Sequence, residues 1–527
     1  MDELVADVVV IGVGAAGVCA AIEAADAGAE VLLLDRFSGG GASRVSGGVI
    51  YAGGGTAQQA SAGVSDTVSA MFEYLRLETD GVVSSRTLRR FCESSPGMIQ
   101  WLEGLGVPFE GSLCPYKTSY PSDAHYLYYS GSEASGGFRD AAAPAPRGHR
   151  VKGPGTSGKL LMARLLSAAR QRGVRVVPQT RARSLVVSDG VVTGVVGAGL
   201  AGAPRWARFL HARLASYAAK PGIYVPPLRR ALHRRVVWLE ERYACEVRIV
   251  ARRGVVLAAG GFIANRSWVR EHAPAYRGGL PLGTSADDGS GIQLGVSAGG
   301  RVAEMDRISA WRFLTPPAAF LGGLLVDVDG RRVIDESRYG AAIGERLITA
   351  HGGRGWLLVD SRVVAAARRD GRKQGQWFAW LQLRYLLGRG RVTGASLEEV
   401  ARRAGIDPAG LRASYDAYRA GPDPMGKPPE FAAPLDTPPF SLIDVSVRGS
   451  LGYPCPMLTL GGLVVDEDTG AVAGVRGLYA AGRTAVGICS RSYVSGLSLA
   501  DCVFSGRRAG LSVALSPGHV DKNENVF

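Results

Sequence analysis

Tyr493 and Ser495 stand two residues apart in the run Arg491-Ser492-Tyr493-Val494-Ser495-Gly496-Leu497-Ser498-Leu499-Ala500-Asp501. On an extended strand end, residues two apart face the same side. A phenol and a hydroxyl on one wall of a pocket can together enolise a ketone. The proton beside a carbonyl leaves only as negative charge moves onto the oxygen. A phenol aimed at that oxygen stabilises the charge, and one such donor is worth about 3 kcal/mol of barrier. A hydroxyl alone is a poor base, so it needs a partner to carry its proton away; a phenol of pKa about 10 can relay it. The plainer alternative is a turn before a helix, with Ser495 or Ser498 as the N-cap.

A second group of residues binds and does not react. Residues 7–11 (DVVVI) read as a short strand buried on both faces, running into Gly12-Val13-Gly14-Ala15-Ala16-Gly17 and an alanine-rich helix that stops at Gly28. A second apolar strand, 31–34, ends at Asp35-Arg36. Gly12 permits a tight turn, Gly14 lets the backbone approach a pyrophosphate, and Gly17 allows close helix–strand packing. The helix N-terminus offers unpaired N–H groups to phosphate, and Asp35 can accept from ribose hydroxyls. These residues predict dinucleotide binding, with NAD and FAD both open.

The run Gly40-Gly41-Ala42-Ser43-Arg44-Val45-Ser46-Gly47-Gly48 resembles the G-G-x-S-x-x-S-G-G loop of the fumarate reductase and ketosteroid dehydrogenase flavoproteins. Residues 254–265 (GVVLAAGGFIAN) and 477–482 (GLYAAG) resemble that superfamily's later returns to the nucleotide, and Asp287-Asp288-Gly289-Ser290-Gly291 and Thr459-Leu460-Gly461-Gly462 are further matches. The resemblance implies an α/β fold: a Rossmann-like FAD-binding domain in two sequence segments, 1–280 and 441–527, with an inserted α+β substrate-cap domain at 281–440. It implies FAD held by Gly12, Gly14, Ala16, Gly17, Asp35, Arg36, Gly41, Ala42, Ser43, Ser46, Gly47, Gly48, Ala259, Gly260, Gly261, Asp288, Gly482, Ser498 and Leu499. Relatives that bond the flavin to histidine carry it in the loop matching 40–48. This loop has none, so the cofactor is expected to be non-covalent.

The 491–501 run, with Phe504-Ser505-Gly506 after it, resembles the Tyr-x-Ser-Gly motif of the 3-ketosteroid Δ4-(5α)-dehydrogenases. That resemblance makes Tyr493 the donor to the steroid C3 oxygen and Ser495 the base at C4, with hydride passing from C5 to flavin N5. It makes Tyr339 the third catalytic residue and puts Gly496 against the substrate. Tyr126 and Tyr128 belong to a loop of phenols that either lines the steroid faces or packs on itself. Three other readings stand beside this one. The Δ1-dehydrogenases read Tyr-Pro-Gly-x-Gly at this place. Dicarboxylate enzymes carry an active-site histidine before T-x-G-G, where this chain has Met457-Leu458. A flavin electron-carrier subunit would need no substrate pocket at all. For the dehydrogenase readings an external electron acceptor, unknown from the sequence, must reoxidise the flavin.

The elements that position these residues are bounded by composition. A chain of 527 residues exceeds one compact core, so two or more domains are expected. Seven scattered cysteines without C-x-x-C argue against a disulfide scaffold or zinc site, and no two histidines lie at i, i+3 or i, i+4 spacing, so no metal is expected. The net charge of +14 comes mostly from dispersed arginines that resemble no RNA- or DNA-reading module, so no nucleic-acid partner is expected. No run reaches the ~18 apolar residues of a membrane span, and the first strand leaves no room for a signal peptide, so a cytoplasmic protein is expected.

One segment departs from the family pattern. Between strands expected at 191–196 and 247–251, related domains need a short turn, whereas this chain inserts about 45 residues. Trp206, Leu210, Leu214 and Tyr217 recur at helical spacing, as do Leu228, Leu232, Val236 and Leu239. Residues 201–242 hold nine Lys/Arg against two Glu, and Pro221, Pro226 and Pro227 divide them into two helices. Such a pair either lies on the inner membrane face, making the protein peripheral through 200–245, or packs on its own domain or across a dimer.

Overall fold

The structure, a computed structural model, describes residues 3–450 and 452–519. Its largest sheet has the strand order Arg175–Val177, Val31–Leu34, Glu3–Ile11, Cys245–Leu257, Val191–Gly199, Thr180–Ser188. The first four run parallel, and Leu478–Ala480 adds a further parallel strand along Val255 to Leu257. Cys245–Leu257 is thus shared. Its first half pairs antiparallel with Val191–Gly199, and its second half pairs with Leu478–Ala480. Val8, Val9 and Val10 are fully buried, as a parallel strand covered on both faces must be. The first strand starts at Glu3, four residues before the apolar run, because the ladder to Arg248 through Ala251 holds its polar beginning.

Helix Ala15–Asp26 follows the glycine turn, and helix Leu497–Leu515 packs along it, with Gly506 and Gly510 against the backbone of Ala16 and Ala20. Both helices therefore present their N-termini to the same side of the sheet.

A second body surrounds a four-stranded antiparallel sheet in the order Leu324–Val326, Trp356–Val359, Phe440–Asp444, Arg391–Gly394, with its own apolar core. Strand Phe440–Asp444 belongs to this sheet, so the expected break at 440/441 would cut through it. A three-stranded sheet of Leu280–Pro281, Pro456–Thr459 and Ile308–Ala310 joins chain from both sides of this body.

The insertion folds into helices Arg205–Ala219 and Pro226–Tyr243, joined by a turn at Gly222–Tyr224. It is tied down at a few polar points. Arg36 donates through Nε and Nη2 to the two oxygens of Glu240, both at 2.9 Å, and His211 Nε2 lies 3.2 Å from the same carboxylate. Burial pushes the Glu240 carboxyl up, but His211 and Arg36 override it and hold the group at about 2. The folded value lies below the unfolded one of about 4.3. The stability from this tie is therefore complete above that pH and lost as pH falls toward 2. Its size is on the order of 3 kcal/mol. In thermal melts, acidification from neutrality to below pH 4 should cost wild type more than Glu240→Gln; equal losses would contradict the assignment.

Candidate active site

Both bodies line one continuous cavity of about 2530 Å³, open solvent at its mouth included. It runs from the glycine turn at Gly12 to the aromatic residues Trp311 and Tyr493, so it has a nucleotide half and a second half.

The nucleotide half is built by the glycine turn and the ends of the parallel strands. Gly12 takes φ +109°, and a Cβ there would fall 2.4 Å from the Ala258 carbonyl oxygen, so only glycine makes this turn. The N-cap residue Gly14 brings no side chain to helix Ala15–Asp26, and its first turn holds no acidic residue. Ser43 accepts from Ala15 N at 3.1 Å and pins the loop 41–48 over that N-terminus. Asp35 accepts from Phe37 N and Gly39 N on Oδ1 and from Val13 N on Oδ2, leaving Oδ2 capacity toward the cavity. Burial raises its pKa against those bonds.

Of the expected cofactor residues, Gly12, Gly14, Ala16, Asp35, Arg36, Gly41, Ala42, Ser43, Ser46, Gly47, Gly48, Ala259, Gly260, Ser498 and Leu499 line the cavity. Gly17, Gly261 and Gly482 stand behind that wall. Asp288 is turned away: its Oδ2 accepts from Arg36 at 3.0 Å, and its neighbour Asp287 lines the cavity instead. Asp287 holds Arg483 Nη2 at 2.8 Å, while Arg483 Nη1 is buried without a partner. An orphaned guanidinium N–H and a helix N-terminus with no acidic residue in its first turn, both on the cavity, are what an anionic dinucleotide satisfies. The residues fit FAD.

The other half is aromatic. Tyr493 stacks on Trp311, with ring centroids 5.1 Å apart at 24°. Tyr339 lies 6.2 Å from Tyr493 and 5.5 Å from Phe313. All four line the cavity together with Ser495 and Gly496. Ser495 Oγ is 3.0 Å from the Tyr128 hydroxyl, and interaction with the same serine draws the Tyr339 pKa down against burial. Burial raises the pKa of Tyr493, Tyr339 and Tyr128 above the ordinary phenol value.

Neither Ser495 nor Ser498 caps helix Leu497–Leu515. Its N-cap is Gly496, with φ +91° and no side-chain cap bond. A Cβ on Gly496 would meet Tyr51 N at 2.7 Å, so the turn that exposes Ser495 needs glycine. The helix brings no acidic residue to its first turn, which leaves its N-terminal partial positive charge facing the cavity.

The phenol loop divides. Tyr120 lines the cavity, its hydroxyl donating to Gly47 O at 2.8 Å. Tyr128 is fully buried behind Ser495, and Tyr126 sits under Arg150; neither lines the cavity, which matches the packed alternative for this loop. Trp311 and Phe313 went unread because nothing in ISAWRFL distinguishes a site aromatic from a core one. No histidine lines the cavity, and Leu458 faces it just before Thr459. Among the described residues no group of three His, Cys, Asp or Glu could hold a metal ion.

A glycine turn on parallel strands, closed by a second body over an aromatic chamber, defines a flavin-dependent oxidoreductase. The chain belongs to the FAD binding domain family, whose model matches residues 7–496. Over 499 residues it is 39% identical to the 3-oxo-5-alpha-steroid 4-dehydrogenase of Comamonas testosteroni, covering 90% of this chain and 92% of that one. The crystal structure of 3-ketosteroid-delta4-(5alpha)-dehydrogenase from Rhodococcus jostii RHA1 with 4-androstene-3,17-dione superposes with a TM-score of 0.80 at 30% identity, covering 97% of each chain. A 3-ketosteroid delta1-dehydrogenase from Sterolibacterium denitrificans shares the fold, with a TM-score of 0.62 at 20% identity and coverage of 97% and 99%. The cofactor is FAD.

Proposed function

We propose that the protein oxidises ring A of a saturated 3-ketosteroid to the 4-ene. The observation that carries this reading is Ser495 Oγ held at 3.0 Å from Tyr128 in the chamber that Tyr493 and Tyr339 also line. Tyr493 donates its proton to the C3 oxygen and stabilises the charge that develops there. Ser495 Oγ takes a proton from C4 as its own proton passes to the Tyr339 oxygen, and Tyr339, which lines the cavity, releases its phenolic proton to solvent water at the cavity mouth. FAD, when bound, accepts the hydride that leaves C5. The apolar and aromatic walls exclude water and suit a bulky neutral ligand better than a dicarboxylate. The electron acceptor that reoxidises the flavin is external to the site. Peripheral membrane association through 200–245 suits the same substrate class, because sterols partition into bilayers.

The relay predicts a pH dependence. The relay runs through a phenol whose pKa burial has raised, so it is protonated at neutral pH and its conjugate base, which can take the serine proton directly, grows as pH rises. The rate constant kcat should climb through pH 9 with no plateau below about pH 10, and Tyr339→Phe should flatten the climb. A plateau near neutrality in wild type would contradict a phenol relay. The reaction itself is tested by adding 5α-androstane-3-one to the oxidised protein without oxygen and locating the new double bond by NMR. Bleaching with a 4-ene product is expected. A 1-ene product, or bleaching only by a partner protein, would overturn the reading.

A further inference from the structure

The outer face of the helical hairpin is apolar where a solvent face is ordinarily polar. On helix Arg205–Ala219 the residues turned inward are Ala207, His211 and Ala218. The large apolar residues therefore point outward: Trp206 is 53% exposed and Phe209 66%, and on the second helix Trp238 is 54% exposed. Arg205, Arg213, Lys220, Arg230, Arg234 and Arg235 are exposed among them. Glu240, one of the two acids, is spent on Arg36 and His211.

This patch continues onto the second body. Lys220 Nζ donates to Thr156 Oγ1 at 3.3 Å, Gly155 N donates to Asp123 at 3.1 Å, and Gln376 Nε2 donates to the same carboxylate at 2.8 Å. Beyond Gln376, Trp377 is 73% exposed and Leu381 48%, with exposed Arg372 and Lys373 just before. Tyr224, Thr156, Gln376 and Phe378, from both sides of this seam, line the substrate cavity. Tyr224 is itself 48% exposed, so the cavity reaches the surface between the hairpin tip and helix Trp377–Leu387.

We infer that this face docks on an anionic lipid bilayer, and that the steroid passes from the bilayer into the cavity through that seam. The lipid surface stands on the patch alone; the steroid's passage rests on the ketosteroid reading above. Aromatic side chains settle at the headgroup boundary, and each Lys or Arg near an anionic surface adds electrostatic attraction that salt screens. A second copy of the chain is a poorer occupant. A two-fold interface lays the same patch on itself, and here it would press like charges together. Among the described residues no helix is long and apolar enough to cross a membrane, so the contact lies on the surface.

The test floats the FAD-loaded protein with vesicles of phosphatidylcholine alone or with phosphatidylglycerol added. Wild type should float with the anionic vesicles and detach in high salt. The double variant Phe209→Glu/Trp377→Glu should bind them at least about tenfold more weakly. The variant should keep wild-type turnover of a soluble short-chain 3-ketosteroid, yet lose turnover of a long-tailed one held in vesicles. Flotation without turnover of any steroid would sink the reaction reading and leave the lipid surface standing. The docking proposal falls if wild type ignores anionic vesicles or the variant floats as well as wild type. It falls too if the patch proves to hold a dimer that the variant dissociates.

Discussion

Ser495→Ala is expected to lower kcat for 4,5-desaturation by about 10²–10⁴, the range in which a positioned proton acceptor contributes. Ser495 lines the cavity with its Oγ 3.0 Å from the Tyr128 hydroxyl, and alanine leaves no atom that can take the C4 proton at that position. Tyr128 behind it cannot substitute, because it is fully buried. Steroid binding should survive, since the loss is one oxygen on a wall built of rings. The check is a titration of the flavin spectrum with steroid, together with stopped-flow bleaching. An unchanged dissociation constant with slow bleaching fits a proton acceptor. A variant that bleaches at the wild-type rate removes Ser495 from the mechanism.

Tyr493→Phe should cost about 10²–10³ in kcat, the usual loss when one donor to a developing oxyanion is removed. Phenylalanine keeps the stack on Trp311, so the pocket's shape is preserved and the change isolates the hydroxyl. Burial holds the Tyr493 pKa above its ordinary value, so the group stays a donor across the whole working range. The Michaelis constant should move much less than kcat, because the bond strengthens as charge reaches the C3 oxygen. A variant that raised only the Michaelis constant would make Tyr493 a binding residue and leave the polariser unidentified.

What the sequence disclosed follows the range of its signals. The glycine turn, strand 31–34 and Asp35 were legible because a parallel strand, a tight turn and an acid at its end are local patterns. The Tyr493–Ser495 pair was legible because two residues apart means one side of the chain. Long-range choices were not. Asp287 and Asp288 are adjacent acids, and which one meets Arg36, 252 residues away in the chain, and which meets Arg483 is settled only by the fold. Trp311 reaches Tyr493 only because two bodies close over each other. Helical spacing showed that Trp206, Leu210 and Tyr217 share a face. Spacing cannot say that alanine and histidine would take the inner side and leave those rings to solvent.

The central claim is that hydrogen leaves C4 as a proton toward Ser495 and C5 as hydride. Stopped-flow bleaching with steroid deuterated at C4 and, separately, at C5 reads both bonds directly. Each label should slow wild-type bleaching severalfold, while deuterium at C1 should leave the rate unchanged. Slowing by the C1 label, with none from C4, would place the chemistry on the opposite side of the ketone and contradict the account.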